Sequence, residues 1–134
     1  MKLKELNESK IEKGYSGFEL SEVSRVKLLE LYPPKYKNVI AHHCTYKFPA
    51  YSSDPLPPGK VFRVVGHRDD ENGLEALVIE IDGSVYRADG SLYHITYSLN
   101  DGRKPVQSNE VLKKLGYESI QPIAINMTPK FFKF

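Results

Sequence analysis

The 134 residues, 40% apolar and 11% aromatic, suffice for one hydrophobic core and exclude the composition of a disordered chain. Nineteen basic residues stand against 17 acidic ones, too even a balance for a protein that coats long nucleic acid by charge. No apolar run reaches the roughly 18 residues that span a membrane. The single cysteine, Cys44, allows neither an intramolecular disulfide nor a cysteine-rich zinc module.

The opening residues lack the apolar stretch of a secretory signal, so a reducing cytoplasm and no membrane association are expected. The ends of the chain are net basic and residues 51–100 net acidic, which permits a small anionic ligand or an RNA end.

The chain reads as a single domain over 1–134, with 1–13 a polar, weakly patterned lead-in. Gly14 and Gly17 bracket a predicted turn. Ser21 is placed to cap a helix with Glu22 in its first turn. Val23, Val26, Leu28, Leu29 and Leu31 follow at near-helical spacing, and Pro33-Pro34 forces a stop. Aromatic and β-branched residues predict a strand over 39–48, and the prolines and serines of 49–60 a loop. Segments 60–66 and 74–82 form a predicted hairpin whose turn contains Asn72-Gly73. Asp82-Gly83 and Asp89-Gly90 mark further turns around a short extended piece at 85–87. A strand over 92–99 ends at Asn100-Asp101-Gly102. Ser108 is expected to cap a short helix that reaches Leu115, with Gly116 at its C-terminal end. A final strand over 120–125 precedes the aromatic tail 130–134, read as an edge strand or core plug before a docking peptide. The expected fold class is α+β: a mainly antiparallel sheet around a central cleft, with two short helices packed on it.

Two predicted strands carry the same polar signature, His43-Cys44-Thr45 and His94-Ile95-Thr96. Two of the chain's three threonines stand two residues after one of its four histidines, and tyrosine follows both. Side chains at i and i+2 of a strand share a face. His43, Thr45 and Lys47 are therefore expected on one face, and His94, Thr96 and Ser98 on the corresponding face of the second strand. This pattern suits phosphodiester cleavage without metal. A neutral imidazole takes a proton from water and a protonated one gives a proton to the leaving oxygen. The hydroxyls donate to the non-bridging phosphate oxygens, with Lys47 or Ser98 as a further donor. Either triplet alone is a weak signal; the pair is a moderate one.

The doubled triplet on apolar-backed strands resembles the 2H phosphoesterase superfamily. Gly14-Tyr15-Ser16-Gly17, Ser24-Arg25, Pro33-Pro34, His42-His43-Cys44-Thr45 and Pro105-Val106-Gln107-Ser108-Asn109 look closest to its small Swiss army knife RNA-repair-like branch, over residues 14 to 129. The resemblance implies His43 and His94 as acid and base and Thr45 and Thr96 as phosphate-oxygen donors. It also implies hydrolysis of an RNA-end or nucleotide phosphodiester, with a 2′,3′-cyclic phosphate opened to a 2′-phosphate as the first expectation. The interval between His43 and His94 holds a hairpin and no full lobe.

Blander readings stand beside these. Paired sheet histidines can be purely structural. His42, its neighbour on a strand, is expected to face away from the pocket, and His67 to be solvated at a hairpin end. Adjacent strand histidines point to opposite faces, so no metal site is expected among them, nor any other cofactor. Cys44 reads as a small buried residue. Tyr15, Phe18 and Tyr51 are candidates to stack on a base, with core packing equally expected for Phe18. Ser108-Asn109 is most simply a helix cap. Two alternatives to cyclic-phosphate hydrolysis remain: degradation of cyclic oligonucleotide defence signals, and a phosphate- or RNA-end-binding module without turnover. The expected partner is a small nucleotide or RNA end, with no obligate protein partner.

Overall fold

A computed structural model of the protein describes residues 10–134; most of the predicted lead-in lies outside them. Eight strands and two helices follow in the order β1 (Lys13–Leu20), α1 (Glu22–Leu31), β2 (Asn38–Val39), β3 (His43–Tyr51), β4 (Phe62–Asp69), β5 (Leu74–Ile81), β6 (His94–Leu99), α2 (Gln107–Leu115), β7 (Glu118–Ile125) and β8 (Met127–Lys133). The strands form one antiparallel sheet in the order β7-β4-β5-β6-β3-β1-β8, with β2 also on β6. Edge strands β7 and β8 stand at opposite ends of that order, yet only Asn126 separates them in the chain. The sheet is therefore curled, bringing the end of β7 to the start of β8 without pairing them, an α+β half-barrel.

Helix α1 fastens the meeting point. Ser21 caps it by accepting from the Ser24 amide. The Asn126 carbonyl accepts from the Ser21 amide, and the Asn126 amide donates to Ser24 Oγ at 2.8 Å. The helix ends before Pro33-Pro34 as the sequence requires. Leu28 is fully buried in the larger core, which also holds Phe18, Phe62, Ile95 and Tyr97, and Tyr97 Oη donates to the carbonyls of Leu28 and Tyr32. A second core lies on the other face of β5 and β6, where Leu74, Ala76, Val78 and Leu99 meet Leu112 of α2.

Several local expectations are corrected. Gly14 and Gly17 do not form a turn; both lie inside β1. A Cβ on Gly14 would stand 1.9 Å from the Phe132 carbonyl oxygen, and one on Gly17 2.3 Å from that of Cys44. These glycines let backbones approach across irregular pairing. The strand predicted over 39–48 is two: Ala41, at φ 41°, breaks it between β2 and β3. Arg25 Nε donates to the Ala41 carbonyl at 3.1 Å and pins the break. β3 then runs through Pro49 to Tyr51, into the predicted loop. The first strand of the hairpin continues past Gly66 to Asp69. The tail forms edge strand β8 against β1.

Candidate active site

A cavity of about 460 Å³ opens over one face of β1, β3 and β6, roofed by the loop before β6 and the start of α2. Tyr15, His43, Thr45, Phe48, Arg87, Asp89, His94, Thr96 and Asn109 line it, with Ile40, Pro105 and Val106. Both histidines and both threonines of the triplets thus meet in one space. β3 and β6 pair through Cys44 and Ile95, the middle residues of the triplets. Both middle side chains are buried, so the flanking residues are turned to the opposite face. Burial pushes the Cys44 thiol up to about 12, which leaves it an inert core residue.

Each imidazole has one nitrogen engaged. His94 Nδ1 lies 2.9 Å from the Leu92 carbonyl. A carbonyl only accepts, so Nδ1 carries the proton and Nε2 keeps its lone pair when the ring is neutral. His43 Nδ1 lies 3.0 Å from His42 Nδ1, and His42 Nε2 lies 3.4 Å from Glu19 Oε2. With the His42 proton on Nε2, facing the carboxylate, His42 Nδ1 accepts from His43 and His43 Nε2 also keeps a lone pair. Burial and then the neighbouring imidazoles hold His43 down at about 4. Burial lowers His94 too; the Leu92 carbonyl opposes that and the Arg87 charge adds to it.

His42 does not line the cavity, but its ring reaches back to His43. The break at Ala41 leaves it outside β3, free of the strand's alternation. The lining rings of His43 and Tyr15 cluster with Phe132: Tyr15 stacks on Phe132 at 4.9 Å, and His43 lies 5.4 and 5.0 Å from the two. Phe18 is a core residue, and Tyr51 stands at the far end of β3, away from the lining.

Lys47 and Ser98, the two expected additional donors, do not line the cavity either, and for one reason. β1 pairs Gly17 with Thr45 but Ser16 with Lys47, so β3 carries an extra residue there and the alternation slips. Phe48 takes the cavity-facing place, and Lys47 lies 3.8 Å from Asp54. In the same way β5 pairs Ala76 with Thr96 but Glu75 with Ser98. The extra residue in β6 turns Ser98 into a buried cluster, where its Oγ donates to Glu75 Oε1 at 2.7 Å and accepts from the Tyr36 amide. His67 belongs to that cluster: Nε2 meets Glu75 Oε2 at 2.7 Å, so it is not a solvated hairpin end.

Ser108 is not the helix cap. It lies within α2, fully buried, with its Oγ 2.8 Å from Thr96 Oγ1. Thr96 is also 3.3 Å from the Pro105 carbonyl. Thr96 Oγ1 donates to that carbonyl, so with Ser108 donating to Thr96 a ligand oxygen competes with Pro105 for the Thr96 proton. No side chain caps α2, whose N-cap is Val106; Gln107 Oε1 accepts from the Lys104 amide in the turn before it. Among the described residues Arg87 and Asp89, unforeseen from the sequence, bring the cavity its only formal charges besides the imidazoles. Their signal was slight: an arginine before a turn dipeptide in the net acidic part of the chain.

Among the described residues no group of three or more His, Cys, Asp or Glu side chains is placed to hold a metal ion, and no helix is long and apolar enough to cross a membrane. No protein-family model, curated protein or solved structure matches the chain.

Proposed function

We propose that the protein is a metal-independent phosphodiesterase that opens a nucleotide or RNA-end 2′,3′-cyclic phosphate to a 2′-phosphate. The observation that carries this reading is the convergence of His43, His94, Thr45 and Thr96 on one cavity of nucleotide size. His43, held neutral, is the general base. Its Nε2 takes a proton from a water whose oxygen attacks phosphorus in line with the departing O3′. His94 is the general acid, because the Leu92 carbonyl favours its protonated form whereas His43 has another imidazole for a neighbour. Its proton goes to O3′ as the P–O3′ bond breaks. The Thr45 and Thr96 hydroxyls donate to the non-bridging oxygens, where charge builds. Tyr15 and Phe48 offer aromatic faces to the base. The 2′ outcome follows from the resemblance to 2H enzymes.

Both imidazoles titrate below their ordinary 6.5. The base is lost as pH falls through about 4 and the acid is lost as pH rises, so the bell of kcat/KM peaks on the acid side of 6.5. The test is incubation, with and without EDTA, with 2′,3′-cyclic mononucleotides, RNA bearing that end, linear dinucleotides and cyclic dinucleotides, read by chromatography. Chelator-resistant opening of the cyclic mononucleotide supports the proposal. Turnover of cyclic dinucleotides alone would move the substrate to defence signals. Phosphate binding without turnover of any substrate would make the protein a binding module.

A further inference from the structure

Arg87 is a side chain whose surroundings do not account for it. It is 9% exposed, yet a guanidinium has five N–H donors and is seldom buried without matching acceptors. Asp89 Oδ2 accepts from Nη2 at 2.9 Å, and Nε is buried with no hydrogen-bond partner. The backbone holds the residue tightly: its amide donates to the Ser91 carbonyl and its own carbonyl accepts from the Gly90 amide. Asp89 is fixed in turn by the Ser91 amide and Oγ, contacts that together with Arg87 hold its carboxyl down at about 2. The turn thus keeps a cation at the cavity wall with its donors largely unspent.

The rest of the lining makes that cation matter. Ile40, Phe48, Pro105 and Val106 are apolar, the threonines and Asn109 are neutral, and the imidazoles are held toward their neutral forms. A phosphodiester is an anion at neutral and mildly acid pH, and an anion in a part-buried apolar cavity requires a fixed positive partner. Among the described residues Arg87 is the only lining residue with a permanent positive charge, and a guanidinium matches phosphate oxygens in geometry as well as charge.

We propose that Arg87 is the anion-binding residue of the cavity, donating to a non-bridging oxygen of the substrate's phosphate while Asp89 steadies its guanidinium from the other side. The proposal rests on the phosphodiesterase reading and extends it: the site selects nucleotides that carry the phosphate, and adenosine alone gains nothing from Arg87. It also gives phosphate binding and acid catalysis a common origin. Arg87 disfavours the His94 imidazolium, and a phosphate anion beside it offsets that charge, so His94 is more readily protonated with substrate in place.

Titration calorimetry with adenosine 2′-phosphate, inorganic phosphate and adenosine, on the wild type, Arg87→Gln and Asp89→Asn, tests the assignment. Charge-assisted hydrogen bonds of this kind imply that Arg87→Gln weakens both phosphate-bearing probes by about 10-fold or more, with adenosine unaffected. Asp89→Asn retains an acceptor for Ser91, removes a competing negative charge, and should tighten both by a few-fold. Natively folded Arg87→Gln that binds adenosine 2′-phosphate as the wild type does overturns the proposal. Should Arg87→Gln fail to fold, the wild-type Arg87 Nε–H resonance, assigned through bonds, decides: it shifts on addition of phosphate, or the proposal is wrong. Arg87-dependent phosphate binding in a protein that hydrolyses no phosphodiester would uphold this site and remove the enzymatic reading. Unchanged KM for a cyclic phosphate in Arg87→Gln would do the reverse.

Discussion

The protein holds two polar clusters built from nearly the same side chains, and they differ in whether their hydrogen bonds are met inside the chain. In one, Glu75 is almost wholly buried between β4 and β6. It meets His67 at 2.7 Å, accepts from Ser98 Oγ at 2.7 Å, and accepts from the Lys35 amide at 3.0 Å. Tyr36 bonds Asp69 beside it, and Lys35 lies 3.4 Å from the same carboxylate. In the other, His43 and His94 each spend one ring nitrogen on a neighbour and face a cavity with the second. Histidine, hydroxyl and carboxylate close on themselves in the first cluster and contribute stability. In the second no carboxylate of the described residues bonds His43 or His94 directly, and one nitrogen of each ring is turned to the cavity. What separates a structural histidine from a candidate catalytic one here is the partner, not the residue type.

Substitutions should therefore fall into two classes. His43→Ala and His94→Ala are expected to lower turnover by roughly 100-fold or more with little change in melting temperature; a His94→Ala protein with wild-type turnover would break the distinction. Glu75→Ala should do the opposite. Removing one partner from a buried charged cluster costs about 3–5 kcal/mol, read from urea denaturation, while kcat of the folded protein is retained. The pH dependence sharpens this. Burial alone would raise the Glu75 carboxyl, but the bonds from His67, Ser98 and Lys35 outweigh it and leave it below the usual 4.5. Its contribution is complete above that ordinary value and disappears as pH falls through the lower folded one, a dependence Glu75→Gln should lack.

Thr45→Val and Thr96→Val should each lower kcat/KM by about 10-fold, as expected for loss of one donor to a developing oxyanion. The two differ in stability: Thr96→Val strands the buried Ser108 hydroxyl and costs about 1 kcal/mol more, measurable by thermal melting. Lys47→Ala should change kcat/KM by less than about twofold, because its ammonium is turned toward Asp54 outside the lining and exposed pairs contribute little.

The triplets were legible because each depends on alternation over only three residues, a span within which neither strand slips. Lys47 and Ser98 were misread because the same rule was carried two residues further, across bulges set by pairing with β1 and β5. Strand partners fix such slips, and no local pattern announces them. The helices were legible from Ser21, Pro33-Pro34 and Gly116, whose effects are local. Ser108 was assigned the wrong task because a hydroxyl near a helix start serves equally as a cap or as a partner for another strand; Thr96 decided it. Gly14 and Gly17 show the same limit, since a glycine that permits a turn also permits a close neighbouring backbone, here Phe132 and Cys44. Arg87 and the aromatic cluster at Phe132 enter the site through loop and sheet topology, which joins segments far apart in the chain.

Phosphorus NMR of the product formed from a 2′,3′-cyclic mononucleotide in the presence of EDTA tests the central claim most directly. On the proposed reading His43 and His94 serve opposite sides of phosphorus, the threonines hold the oxygens between them, and one ester bond would always be presented to the acid. A single 2′-phosphate resonance is the predicted result. A 3′-phosphate, an even mixture of the two, or unreacted substrate would contradict the assignment of acid and base on which the account rests.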